Sequence, residues 1–483
     1  MPLRLNTATG RWVVVATVLG STMVFLDATV VNVALPTIGR EFDAGISELQ
    51  WVLNGYLLSL AALILLGGSL GDRFGRRRIF VLGAIWFTAA SVLCGLAPTG
   101  EWLIAGRVLQ GVGGALLTPG SLAIIEAGFV REDRGRAIGI WSGLAGVSTA
   151  IGPPLGGWLI DVLSWRAVFF LNVPLGILVV ILALRHVPES RDESLEGSID
   201  YAGAGLAVVA LGAISWALIE GPARGFDEPT VLAGLTVGLL SVALFLVRER
   251  RAAEPMLPLE LFRSRTFSAA NMITFVVYGA FGGALFLLSV LLQTALGYSP
   301  LVAGLATLPV TFIMLLFSAR SGAVAQRIGP RLPLTLGPLV LAASLLLMHS
   351  IDVDSSYLTG VLPPVILLSA GLVIVVAPVT ATTLASAPDE RAGVASAVSN
   401  AVSRTGQLFA IALLPAIGGL QGAEYEDPDA IVSAFQTAVL FAAALCALGA
   451  AIAWRMIDND CLHGEKVSAR APGPARRSGS VAD

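Results

Sequence analysis

Charged residues are scarce. Asp, Glu, Lys and Arg make up 13% of the 483 residues, against about 25% in soluble domains, and the mean hydropathy is +0.82. A water-soluble domain is excluded on that ground, and a polytopic membrane protein is indicated. Lysine is almost missing: of 30 Lys and Arg residues, only Lys466 is lysine. The chain has no Gly-x-x-x-x-Gly-Lys-Ser/Thr loop, which argues against ATP-driven transport. A net charge of −3 leaves no basic excess for nucleic acid. The three cysteines, Cys94, Cys446 and Cys461, are scattered and imply neither a disulfide framework nor a metal site. There is no nucleophile–base arrangement and no appended soluble domain, so an enzyme is disfavoured. The polar start, Met1 to Arg11, runs into a hydrophobic stretch without the small-residue cleavage site of a signal peptide.

What the chain has instead is fourteen apolar stretches, at 12–35, 49–70, 79–97, 102–125, 138–160, 168–184, 201–219, 231–247, 269–292, 301–318, 332–348, 357–385, 393–417 and 434–454. About 20 apolar residues suffice to cross a bilayer. An even number of spans puts both termini on one side, and arginine placement says which. With a cytoplasmic N-terminus, the inner loops and both tails hold 25 of the 30 basic residues. The outer loops hold Arg40, Arg166 and Arg224, while Arg107 and Arg404 lie inside spans.

An internal echo sets the architecture. The loop after span 2 reads Gly68-Ser69-Leu70-Gly71-Asp72-Arg73-Phe74-Gly75-Arg76-Arg77; the loop after span 10 reads Gly322-Ala323-Val324-Ala325-Gln326-Arg327-Ile328-Gly329-Pro330-Arg331, at a constant offset of 254. Two six-span bundles, spans 1–6 and 9–14, place these loops equivalently. The expected fold is therefore an all-α membrane protein. An N-terminal bundle covers 1–185, a linker with two extra spans covers 186–266, and a C-terminal bundle covers 267–457. A Pro/Gly/Ser/Arg-rich cytoplasmic tail, 458–483, is expected to be disordered. Parallel halves around a midplane site are a transporter arrangement.

Asp27 is the only carboxylate well inside a span. At that depth it costs ~2.5–3.5 kcal/mol on insertion scales. It reads either as a proton-handling residue loaded from alternate sides of the membrane or as a hydrogen-bonded packing residue. Arg107 lies at a similar depth in span 4. A nearby cation favours an ionised carboxylate, and its loss favours protonation; the other reading is an arginine snorkelling to the interface. Gln110 shares the Arg107 face at i+3 and is a candidate to line the substrate cavity. Arg404, near the middle of span 13, is too deep to snorkel, and Asn400 and Gln407 give it a polar face. It contacts substrate or pairs with a carbonyl; a fixed cation there favours neutral or anionic groups. Asn54, Tyr56, Asn271, Tyr278 and Gln293 are further cavity candidates. Gly68, Asp72, Arg73, Gly75, Arg76 and Arg77 read as a conformational latch, or as a topology signal only. In span 5, Gly139, Gly152, Gly156 and Gly157 thin the helix surface for close packing, and Pro153 removes a backbone donor.

The loop after span 2 resembles the motif found at that place in the major facilitator superfamily. Leu103-Ile104-Ala105-Gly106-Arg107-Val108-Leu109-Gln110-Gly111 resembles that superfamily's arginine motif, and Gly152-Pro153-Pro154-Leu155-Gly156-Gly157 its antiporter motif. Leu26 to Pro36, Trp165 to Pro174, Pro258 to Phe262 and Gln293 to Pro300 are similar to stretches of the fourteen-span drug:proton antiporter family. Ser148 stands where the antiporter motif usually has glycine. Spans 10 and 13 lack the acidic residues that some members use for dicationic drugs, so the likeness does not extend to that use. The resemblance implies the major facilitator fold in a bacterial inner membrane and proton-driven export of small amphiphilic drugs or metabolites. It also implies a monomer that needs no cofactor beyond the proton gradient. The competing functions are a transporter narrow for one metabolite or nutrient, and a membrane sensor.

Overall fold

The computed structural model describes residues 3–192, 199–252, 255–388 and 391–462. Among them are fourteen long helical elements: α1 (Ala8–Phe42), α2 (Ile46–Phe74), α3 (Arg76–Gly95), α4 (Gly100–Gly128), α5 (Arg131–Val162), α6 (Arg166–His186), α7 (Tyr201–Arg224), α8 (Pro229–Arg251), α9 (Arg265–Thr294), α10 (Pro300–Ile328), α11 (Arg331–Met348), α12 (Tyr357–Ala385), α13 (Ala392–Gly418) and α14 (Pro428–Met456). Side-chain caps start several of them: Thr7, Thr99, Ser264 and Ser299 each accept a hydrogen bond from a backbone N–H of the first turn. The helices outrun their apolar windows. α1 has 35 residues, about 52 Å at 1.5 Å per residue, and the hydrocarbon layer is about 30 Å thick. Thirteen are apolar enough to cross a membrane on composition alone. The fourteenth, α5, is long enough, but glycine, serine and proline dilute its hydropathy.

Helices α1–α6 form one bundle and α9–α14 the other. In the first, α4 lies against α2 and α3, while α5 and α6 lie against α1; in the second, α12 lies against α10 and α11, while α13 and α14 lie against α9. Adding eight to each helix number turns one arrangement into the other. The bundles meet along two seams that this operation exchanges, α2 with α13 and α5 with α10. The extra helix α7 rests on α2 and α13, and α8 rests on α7. Only 17% of the α8 apolar window is buried, so α8 is peripheral.

The repeated loops share a conformation. Gly75 and Gly329 have φ of 110° and 84°, a region that favours glycine. Each loop clamps the segment that follows the sixth helix of its own bundle. Arg76 N donates to Ser190 O (2.8 Å) and Arg77 N to Glu189 Oε1 (3.0 Å). Arg331 N donates to Asn459 Oδ1 (3.3 Å) and Arg331 Nε to Ile457 O (2.9 Å). This corrects one expectation. The start of the tail is ordered, with a short 3-10 turn over Asn459–Leu462, because its backbone and Asn459 satisfy the α10–α11 loop. Residues 463–483, also expected to be disordered, lie outside the described residues.

A set of hydrogen bonds joins the bundles at the face opposite the termini. Ser289 Oγ and Gln293 Nε2 of α9 donate to Asn32 O and Val33 O of α1, both at 3.0 Å. Gln50 Nε2 of α2 donates to Ile411 O (2.7 Å) and Ala412 O (3.0 Å) of α13. Tyr425, 1% exposed, donates to Ala44 O at 2.9 Å. Burial, with Glu426 beside it, pushes the Tyr425 hydroxyl up to about 12, so it remains a donor through the physiological range. In the α5–α10 seam, Gly157 sits on the backbone of Pro300 and Leu301, and Gly304 on that of Pro153. Toward the termini, a Cβ at Gly135, Gly139 or Gly143 would meet nothing within 4 Å. The bundles are therefore closed at one face and parted along α5 at the other.

Replacing Gly157 with valine puts side-chain atoms into the α10 backbone. Overpacking of this kind costs ~1–3 kcal/mol, and we expect it to loosen the closed face. Maleimide labelling of Ser289→Cys, in a Cys461→Ser background, should accelerate when Gly157→Val is added; an unchanged rate would remove the seam's structural role.

Candidate functional site

α1 is a wall with two faces. One turns Asp27 into the first bundle, where α3, α4 and α6 converge on it. Asp27 and Arg107 both have side-chain exposure of 0%, and Arg107 Nη1 lies 2.6 Å from Asp27 Oδ2. Neither snorkels, and the charges cancel. Gln110 Nε2 donates to Asp27 Oδ1 at 2.8 Å, and Asn172 Nδ2 donates to the same oxygen at 3.2 Å. The carboxylate thus accepts from three side chains. Arg107 also donates from Nη1 to Gln110 Oε1 (2.6 Å) and from Nε to Val52 O (3.0 Å). Its guanidinium lies over Tyr56, 4.4 Å from the ring centre. Ser91 Oγ accepts from Asn172 Nδ2 (2.9 Å) and Gln110 Nε2 (3.3 Å) and donates to Phe169 O (2.8 Å). The cluster is incomplete: Arg107 Nη2 and Asn172 Oδ1 are buried without a partner.

The other α1 face looks across to the second bundle. Arg404 Cζ lies 5.7 Å from the Phe25 ring centre, so α13 reaches α1 here. Gln407 packs over Gly282 of α9. Tyr278 of α9 and Asn400 and Gln407 of α13 are half-buried. Other cavity candidates stand elsewhere. Gln110 and Tyr56 belong to the Asp27 cluster, because their faces of α4 and α2 turn inward. Gln293 closes the seam with α1. Asn54 is fully buried, and Asn271 is buried with its amide donating to Phe267 O of its own helix (2.9 Å).

The latch residues bond within their own bundle. Arg76 pairs with Asp72 at 2.7 Å, and Asp192 N donates to Asp72 O at 2.8 Å. Arg77 and Arg78 face Glu189 at 3.7 and 3.6 Å. Gly68 rests against Pro119, and Arg73 lines a cavity of about 1090 Å³ between the ends of α2, α8 and α13 and the segment before α9. Of the span 5 residues, Gly152 and Gly156 pack on Thr29 and Val30 of α1, while Pro153 and Gly157 meet α10. Gly139 faces open space rather than another helix. Ser148 uses its hydroxyl, 2.7 Å from Thr22 Oγ1.

Three residues that contact the candidate site and the loop after α2 escaped the sequence reading. Asn172 and Ser91 are neutral polar residues in apolar runs, and such residues carry no signal by themselves. Glu189 lies in a linker where charge is ordinary. Asn172 did fall inside the Trp165–Pro174 stretch. That stretch also proves structural: Trp165 Nε1 and Arg166 Nη1 both donate to Glu41, at 2.5 Å each.

Removing one member of a buried ion pair strands the other, at ~3–5 kcal/mol. Arg107→Ala should therefore lower thermal stability clearly. Asp27→Ala with Arg107→Ala together should cost much less than the two singles summed. Additive losses in a double-mutant cycle would show that the pair does not act as a unit.

Residues 17–411 match the profile of the Major Facilitator Superfamily. The chain is 38% identical over 404 residues to "Multidrug resistance protein Stp" of Mycobacterium tuberculosis, covering 83% of this chain and 75% of that one. It is 38% identical over 400 residues to the "Tetracenomycin C resistance and export protein" of Streptomyces glaucescens, covering 83% and 74%. With the "Methylenomycin A resistance protein" of Bacillus subtilis it shares 36% over 425 residues, covering 87% and 90%. Among solved structures, a D-xylose-proton symporter superposes with a TM-score of 0.66 at 17% identity, covering 93% of this chain and 98% of that one. A bacterial homologue of the lysosomal transporter Spinster, in an inward-facing conformation, gives 0.64 at 18%, covering 93% and 97%. At those identities the structures establish the fold, and the resistance proteins establish the kinship. The chain is a multi-pass membrane transporter for small molecules, not an enzyme, and it belongs to the Major Facilitator Superfamily.

Proposed function

We propose that the protein is a proton-coupled antiporter that exports amphiphilic drugs or secondary metabolites from a bacterial cytoplasm, with Asp27 as its protonation site. The observation that carries this reading is the fully buried Asp27–Arg107 pair. An ionisable group held inside a membrane domain is functional by default. The relatives named for resistance and export support the direction of transport. Arginine asymmetry puts the termini in the cytoplasm, which makes the parted face the cytoplasmic one and the structure inward-open. The energy source is the proton gradient, no cofactor takes part, and the chain works as a monomer in the inner membrane.

A proton on Asp27 cancels the charge that Arg107 faces. Arg107 keeps Gln110 Oε1 and Val52 O but loses its ionic partner, while Gln110 and Asn172 lose a charged acceptor. The same helix carries Asn32 O and Val33 O, which hold α9 at the closed face. Rearrangement around Asp27 is therefore passed along α1 to the seam within two turns. When the seam opens and the cytoplasmic face closes, Gly139 and its neighbours meet α10, and the loop from Gly68 to Arg77 latches that face. Substrate occupies the inter-bundle space beside Tyr278, Asn400, Arg404 and Gln407.

Asp27→Asn preserves the shape of the cluster and removes the titratable group. It should insert normally and lose gradient-driven dye efflux from everted vesicles, down to the level seen with a protonophore. Full activity in that variant would defeat the coupling role. Arg107→Lys should also impair transport, because a point charge does not replace a guanidinium that bonds in three directions; wild-type kinetics would make Arg107 a packing residue.

A further inference from the structure

We infer that the inter-bundle space holds a site for an acidic aromatic amphiphile, one carrying a carboxylate, sulfonate or phenolate, seated on Arg404 of α13 and Phe25 of α1. This rests on the export reading and names its substrate class. Arg404 stands twelve residues after the first residue of α13 and fourteen before the last, about 18–21 Å from either end at 1.5 Å per residue. Snorkelling cannot reach water along that path. The residue is 9% exposed. Its Nη1 has one long contact, 3.5 Å to Gln407 Oε1, and its Nε is buried with no partner. No ion pair is made to it among the described residues.

The charges nearby leave it uncompensated. Asp27 is matched by Arg107, and Glu41 by Arg166. Helices α9 to α13 contain no Asp or Glu. In α14 the one acid is Asp429, in the first turn, and Asp161 of α5 is held by Ser299 and Leu301 at the closed face. A guanidinium nine-tenths buried without a counter-ion is costly, and a residue needed only for packing would not carry that charge. An anion arriving from the cytoplasm supplies what is missing and can be gripped by two N–H groups. The Phe25 ring already faces the guanidinium, so a planar aromatic body has a surface to lie on, and its contacts span both bundles. A cation would be repelled from the same place. Substrate charge thus enters through the second bundle, while the proton enters through the first.

Two probes with one scaffold test this: 1-anilinonaphthalene-8-sulfonate, an anion, and N-phenyl-1-naphthylamine, which lacks the sulfonate. Binding is measured by calorimetry on the full chain in nanodiscs, with empty nanodiscs subtracted. Wild-type protein should prefer the sulfonate. Arg404→Gln should weaken the sulfonate at least tenfold and leave the neutral amine within about twofold, and Arg404→Lys should fall between. Equal affinities of the two probes for wild-type protein, or an Arg404→Gln variant that binds both as before or loses both alike, would overturn the site. Gradient-driven efflux of the amine is read separately in everted vesicles. Efflux without an Arg404-dependent sulfonate preference leaves the export reading standing and removes this one. The preference without efflux of either probe does the reverse.

Discussion

An aspartate and an arginine with no access to water can coexist in a lipid-facing bundle only if each satisfies the other. That requirement explains most of the first bundle. Three donors must reach Asp27 from α4 and α6, an acceptor and a ring must meet Arg107 from α2, and Ser91 of α3 must tie the amides together. Charges stripped of water interact strongly but pay a large desolvation cost, so geometry has to be tight. Gly106 against Cys94, and Gly111 against the α2 backbone, bring α4 close enough to α3 and α2 for this. The small residues of α4 and the polar cluster are one arrangement.

The second bundle repeats the fold and omits the pair. Its loop at Gly329 copies the loop at Gly75, down to the clamped segment after the sixth helix, and its seams mirror those of the first. Where the first bundle has a neutralised pair behind α1, the second has a lone Arg404 in front of it. Architecture is symmetric here and chemistry is not. Such a division suits the two proposed roles, a proton held in one half and a charge presented to cargo by the other, with α1 between them: Phe25 faces Arg404, and Asp27, two residues on, faces Arg107.

Hydropathy marks fourteen spans, and the arginine pattern and the 254-residue echo order them. The fifth of them, 138–160, is the weakest, since the residues that let α5 pack closely are those that dilute its apolar signal. Asp27, Arg107 and Arg404 stood out because charge inside an apolar run is costly and therefore informative. Asn172, Ser91 and Gln50 did not, because a neutral amide or hydroxyl costs far less and its partner lies in a distant helix. Gln110 was read on the correct face of α4, but what that face looked at, a sealed cluster rather than a cavity, depends on tertiary packing. Tyr56 was placed in the cavity for the same reason. Asn459 was assigned to a disordered tail on composition, and one loop with unsatisfied backbone groups overrode it.

The glycines of α5 differ between the two faces. Toward the closed face, Gly152 and Gly156 are filled by α1, and Gly157 by α10. Toward the open face, Gly135, Gly139 and Gly143 are empty. A helix whose glycines are covered along only half of its length is suited to two packings. Interiors are close-packed and switch between discrete arrangements rather than deform. Because α1 lies on α5 and also carries Asp27, the proposed protonation acts on the helix that chooses between them. The coupling needs no long pathway: Asp27, Val30 and Gly156 are neighbours, and Val33 beyond them already holds the seam.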